Sequence, residues 1–262
     1  MGELVDVRRD GAVATVVMHR KGNNSIAEDL MEELGATFES LGADPSVRVV
    51  VLVSGYERYF SVGYDLTTAG AQERTEEAIT AATLAMSGRF NRIAACPKPV
   101  IAAINGHALG GGCELTLCCD YRLMVEDGRS KIGQSEAPLG LIPGAGGTQR
   151  LPRLIGKAAA LPLLLEGRRL SAKEAEALGL VNQAVARGEL DGAVRELAGR
   201  LARAATYALG LIKDAVNRGL DLPLEEALEV EARNFARASL SEDAVIGIMS
   251  FLAKQEPEFK GR

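Results

Sequence analysis

Two turn-forming segments carry the strongest chemical signal in this chain. Asn105-Gly106-His107-Ala108-Leu109-Gly110-Gly111-Gly112-Cys113-Glu114-Leu115 follows an apolar run and leads into a helical pattern. Glycines at such a junction leave backbone N–H groups bare at a helix N-terminus, where they meet a developing negative charge favourably. Upstream, Tyr59-Phe60-Ser61-Val62-Gly63-Tyr64-Asp65-Leu66 is a second turn-forming segment, just after a valine-rich run. One donor from each turn would make an oxyanion hole for a thioester oxygen. Losing one donor of that kind raises a barrier by ~3 kcal/mol.

Other familiar motifs nearly fit and fail. Gly110-Gly111-Gly112-Cys113-Glu114-Leu115 lacks the last glycine of a dinucleotide-binding fingerprint, and no phosphate-binding GxxxxGK[ST] occurs. Gly133-Gln134-Ser135-Glu136-Ala137 resembles a nucleophile elbow with alanine in the final place. A triad there would have to recruit His19 or His107, the only histidines, and the strand–turn–helix context is poor. His107 reads as a packed turn histidine rather than a base. The cysteines, Cys96, Cys113, Cys118 and Cys119, form no CxxC pair and read as small buried thiols, with no metal site expected.

The elements that must position these turns are legible in outline. Val13 to Met18, Val47 to Val53, Val100 to Ile104 and Tyr121 to Val125 are strand-like runs, the second nearly continuous as in a strand buried on both faces. Helical spacing runs from Ala27 to Leu41 and from Ala71 to Ile93. This alternation predicts an α/β domain. Gly106 to Gly112 and Gly140 to Gly147 lie between strand and helix, where such proteins place ligands.

Beyond about residue 155 the character changes. Ser171-Ala172-Lys173-Glu174 is a capping-box pattern opening a helix that Gly179 can close. Leu190 to Ala204, Tyr207 to Arg218, Leu224 to Ala238 and Ser241 to Lys254 read as helices without intervening strands. Such a tail is expected to pack on the α/β body or on a second subunit.

With 262 residues, 47% hydrophobic and 25% charged, the chain can bury a substantial core. A formal net charge of -5 argues against a general nucleic-acid or anionic-membrane surface. The acidic, soon alternating N-terminus is not a signal peptide, and no apolar stretch reaches membrane-spanning length, so a cytoplasmic location is expected.

Taken together, the segments resemble the enoyl-CoA hydratase/isomerase (crotonase) superfamily along essentially the whole chain. Phe60 to Leu66 is similar to that family's FSAGADL segment, and Lys98 to Leu115 to its longest signature. Gly133-Gln134-Ser135-Glu136, with Gly140 to Arg150 after it, forms a third match, and Lys254 to Arg262 resembles the family's usual ending.

The resemblance implies a spiral of ββα turns over residues 1–195, carrying the active site. A helical region over 196–262 would then build trimers, often paired as hexamers, and cover the active site. The backbone N–H groups of Tyr64 and Gly111 would form the oxyanion hole, with Glu114 activating water and Glu136 donating a proton. Two carboxyls near one water push their pKa values apart, which suits one base and one acid. Lys21 and Ser25 match a segment lining the CoA adenine and phosphates, while Val62, Asp65 and Leu66 flank Tyr64 beside the acyl-CoA. Phe259 and Lys260 would reach CoA bound to a neighbouring subunit. No cofactor is expected beyond the coenzyme A of the substrate.

Three departures stand out: Tyr64 replaces a small residue, Thr67 stands where many members carry lysine, and Ser135 replaces a frequent proline. The implied reaction is hydration of a 2-enoyl-CoA. The nearest alternative is a Δ3-Δ2 enoyl-CoA isomerase, which needs only the acid at Glu136, and specialised hydrolases, dehalogenases or dehydratases stand beside it. From a different class, a non-catalytic binding protein, RNA included, would keep the fold without turnover.

Overall fold

A computed structural model of the chain describes residues 3–67 and 75–262. The main sheet has six strands: β1 (Val5–Asp10), β2 (Val13–Met18), β3 (Val49–Ser54), β5 (Val100–Ile104), β7 (Tyr121–Glu126) and β9 (Gln183–Ala186), adjacent in that order. β1 pairs antiparallel with β2, and every later pairing is parallel. Both faces of this sheet are covered. Val50 and Leu52 of β3 belong to one core cluster, Val49 and Val51 to another on the opposite face. That two-sided burial is why the valine run lacks alternation.

The first face is covered by α1 (Glu28–Ala43) through Leu30, Leu34 and Phe38 and by α2 (Glu76–Ala94) through Phe90 and Ile93. The expected start of the second helix, at Ala71, lies outside the described residues. The other face is covered by α7 (Leu190–Arg203), through Leu190, Val194, Leu197 and Ala198. A boundary after residue 195 therefore falls within a helix packed along its length on the sheet.

The tail is not free of strands, contrary to the sequence expectation. β9 intervenes before α7 and pairs with β7, Val185 opposite Val125. Four residues of which only Val185 is buried give too little periodicity to register. The helix opened by Ser171 is α6 (Ala172–Ala177), which has both hydrogen bonds of a capping box. The remaining helices are α8 (Thr206–Gly219), α9 (Leu224–Ser239) and α10 (Glu242–Ala253).

A second, three-stranded parallel sheet decides where chemistry can happen. It pairs β4 (Tyr59–Ser61), β6 (His107–Leu109) and β8 (Ile132–Gly133). Each turn of the chain lays one strand in the large sheet, then one in the small sheet, before helical chain leads to the next. This is the ββα spiral. Because β4, β6 and β8 are parallel neighbours, the segments after their C-terminal ends emerge side by side. Those segments are Val62 to Leu66, Gly110 to Glu114, and Gln134 to Glu136. Ligands of α/β proteins bind at such strand ends.

Candidate active site

The two backbone donors are set up by different local physics. Gly111 opens α3 (Gly111–Thr116), so its N–H has no acceptor within the helix. Tyr64 forms an isolated parallel bridge with Ile26. Ile26 N–H donates to Gly63 O at 2.7 Å and Asp65 N–H donates to Ile26 O at 2.8 Å. In that pattern the N–H of Tyr64 itself points away from Ile26. Neither Tyr64 N–H nor Gly111 N–H meets an acceptor among the described residues.

Close approach of the turns depends on glycine. At Gly63, φ is +98°, and a Cβ there would lie 2.8 Å from Leu109 O and 3.3 Å from Gly111 N. Gly110 has φ +51°, and a Cβ would fall 2.7 Å from Glu136 Oε1. The three strand-end segments thus converge: Gly63 against Gly110 and Gly111, and Glu136 against Gly110. A Cβ built on Gly111 would lie 3.5 Å from Tyr64 N, which places the two donors on one small region of surface.

Glu114 lies one turn into α3 and is only 3% exposed. Its Oε1 accepts from Ala145 N–H at 2.8 Å and Gly147 N–H at 2.7 Å. These donors come from the loop opening α4 (Gly147–Ile155), whose Arg150 donates to Ala145 O at 2.8 Å. Burial raises the Glu114 pKa, opposed by the two N–H donors and by the Arg150 charge. Glu136 is half-buried, and its Oε2 is shielded from solvent without a hydrogen-bond partner among the described residues. Burial, then the neighbouring Glu114 charge, push its pKa up to about 7. The pair therefore combines a carboxylate held by N–H donors with a carboxyl poised near neutrality.

The other residues singled out from sequence divide. Tyr64 is 41% exposed, so its phenol is available to a ligand. Leu66 is exposed and Val62 half-buried on the same segment. Ser25 and Asp65 are drawn together by Arg20, whose Nη1 donates to Ser25 Oγ at 2.6 Å and to Asp65 Oδ2 at 2.9 Å. Lys21 is exposed in the turn after β2. Phe259 and Lys260 do not join this cluster within their own chain. Phe259 O accepts from Arg48 Nη2, and Lys260 N–H donates to Asp243 Oδ1 at the head of α10. Thr67 donates through both its N–H and its hydroxyl to Asp65 Oδ1.

His107 Nδ1 accepts from Lys131 N–H, and burial with the Arg58 charge lowers its pKa, as suits a neutral packing histidine. All four cysteines are buried and unpaired, and burial raises every thiol pKa. Among the described residues no group of three or more His, Cys, Asp or Glu could hold a metal, and no helix is long and apolar enough to cross a membrane. Sequence reading missed Ala145 and Gly147 as donors to Glu114. The glycine run was visible, but its target was not.

Residues 8–262 match the family model for enoyl-CoA hydratase/isomerase. A probable enoyl-CoA hydratase of Rhizobium meliloti is 38% identical over 264 residues, covering 99% of each chain. A crotonyl-CoA hydratase of Syntrophomonas wolfei is 35% identical over 260 residues, covering 98% of each. The crystal structure of an enoyl-CoA hydratase from Geobacillus kaustophilus superposes with a TM-score of 0.94 at 34% identity, over 100% of this chain and 98% of that one. With the converging turns, the paired glutamates and the match along its length, the chain belongs to the enoyl-CoA hydratase/isomerase family.

Proposed function

We propose that this protein adds water across the C2=C3 bond of a 2-enoyl-CoA. The observation that carries the reading is the unequal glutamate pair beside two backbone donors that meet no acceptor among the described residues. The thioester oxygen sits on Tyr64 N–H and Gly111 N–H, which are fixed before the reaction and gain strength as charge develops. Glu114, ionised and aimed by Ala145 and Gly147, takes a proton from water as its oxygen bonds to C3. Glu136, protonated up to about pH 7, delivers a proton to C2. The electron pair of the double bond passes through the enolate and ends in the new C2–H bond. The step leaves Glu114 protonated and Glu136 ionised, and passage of the water-derived proton from Glu114 to Glu136, directly or through solvent, restores the pair for the next turnover.

Retention of Glu114 favours hydration over a double-bond shift, which needs only the acid at Glu136. Coenzyme A enters as part of the substrate, and no step calls for another cofactor. The test follows loss of the enoyl-thioester absorbance of crotonyl-CoA. Glu114→Gln and Glu136→Gln are each expected to lower kcat by ~100-fold or more. Full activity in either variant would refute the paired mechanism.

The helical C-terminal region supports a trimeric assembly as part of the same proposal. Leu240 is 88% exposed and Phe251 82%, and Ile248, Met249 and Leu252 beside them are also exposed. Apolar surface of that extent is characteristic of subunit contacts.

A further inference from the structure

The Tyr64 N–H is aimed by its surroundings, since a backbone donor has no side chain of its own to fix it. Two hydrogen bonds to Ile26 tether the peptide, and they make an isolated bridge rather than part of a sheet. Such a pair alone is weak in water. The residues just outside the bridge supply the reinforcement. Ser25 precedes Ile26, Asp65 follows Tyr64, and both meet the Arg20 guanidinium. Nη1 donates to Asp65 Oδ2 at 2.9 Å and to Ser25 Oγ at 2.6 Å, while Nε donates to Asp29 Oδ1 at 3.0 Å in the first turn of α1. The Arg20 and Asp65 side chains are only 18% and 15% exposed. Hydrogen bonds from the Thr67 hydroxyl and Arg20 hold the Asp65 carboxyl below its ordinary range, so the ion pair stays charged at working pH.

We propose that Arg20 is a positioning residue for the oxyanion hole: by clamping Asp65 and Ser25 to the head of α1, it keeps the Tyr64 N–H aimed at the thioester oxygen. The rival role is a cation for CoA phosphates. The contacts speak against it, because the Arg20 guanidinium already faces the two carboxylates of Asp29 and Asp65. A planar fork suits the clamp, since it bonds several acceptors in fixed directions, as a lysine ammonium does not.

The inference rests on the hydratase reading for its substrate, and the test separates the two. Arg20→Gln, Arg20→Lys and Asp65→Asn are compared with wild type on crotonyl-CoA and on crotonyl-pantetheine, which lacks the nucleotide phosphates. Rates are normalised to folded protein. Enolate absorbance of bound acetoacetyl-CoA reports the oxyanion hole without turnover. Arg20→Gln is expected to lower kcat ~10-fold or more, short of the 10²–10³ loss of a whole donor. KM should stay within about twofold on both thioesters, the enolate signal should drop, and Arg20→Lys should recover only part. Asp65→Asn, which breaks the same clamp, should give the same split and serves if Arg20→Gln fails to fold. A KM rise confined to the CoA ester with kcat intact would establish phosphate binding instead and overturn the proposal. Unchanged kcat with a lowered melting temperature would do the same. If wild type fails to hydrate crotonyl-CoA, the hydratase reading falls, and the clamp still stands or falls on the enolate signal.

Discussion

Glu136 shows how one residue trades stability for chemistry. Its carboxyl titrates near pH 7 in the fold against an ordinary value of 4.5, because burial and the Glu114 charge oppose its ionisation. The folded state therefore keeps a proton that the unfolded chain releases, so stability falls as pH rises from about 4.5 through about 7. Glu136→Gln removes that dependence. It should match wild type at pH 4 and exceed it by ~1 kcal/mol at pH 8, discounting the shift for the partial exposure of this side chain. Urea denaturation at the two pH values checks this. The same proton sets activity: kcat/KM should decline above about pH 7 as the acid is lost, with an acid limb set by protonation of Glu114, whose pKa burial raises. The two carboxyls interact, so the limbs belong to the pair.

At the scale of elements, α3 is the part on which the site depends. It is six residues long, too short to be stable alone, yet it carries both the Gly111 N–H and Glu114. Its exit is fixed by Arg122 of β7, a side chain only 5% exposed. Arg122 donates through Nη1 to Cys119 O at 2.5 Å and Thr116 O at 3.4 Å, and through Nε to Leu180 O at 2.8 Å. Its positive charge faces the C-terminal end of the helix, where the backbone dipole favours it. Arg122→Met would leave Cys119 O and Leu180 O buried without this donor, at about 2–4 kcal/mol, while Thr116 O keeps the Cys119 N–H. Thermal or urea unfolding measures the loss. Arg122→Lys should recover only part, since one ammonium cannot span α3 and Leu180 together.

For the whole molecule, the question is what covers α8, α9 and α10. α7 is consumed by the sheet, whereas the last helices leave Phe235, Leu240, Val245, Ile248 and Phe251 exposed. Under the trimer proposal, light scattering at micromolar concentration should give about three or six times the 27.7 kDa chain mass. Phe251→Glu with Leu240→Glu should shift the protein toward monomer, because burying a charge in an apolar contact is costly. A wild-type monomer would remove the proposal.

The boundary between what was legible in sequence and what was not follows the range of the interactions. β2 and β5 run as the sequence predicts, and α8 to α10 do so within a residue or two at each end, because burial and capping imprint local composition. Ser241 caps α10 through Ala244 N–H, a signal contained in a few adjacent residues. The glycine-rich segments and both glutamates were readable for the same reason. Strands β4, β6 and β8, two or three residues each, were not, since so short a strand shows no period and exists only through its partners. That small sheet brings Gly63 to Gly110 and Gly110 to Glu136. The Tyr64 N–H meets no acceptor among the described residues because Ile26 takes the bonds on either side of it, and Glu114 is aimed by donors from Ala145 and Gly147. The sequence by itself determined which groups are present. Tertiary structure decided which meet and which carboxyl keeps its proton, because contact and desolvation depend on residues distant along the chain.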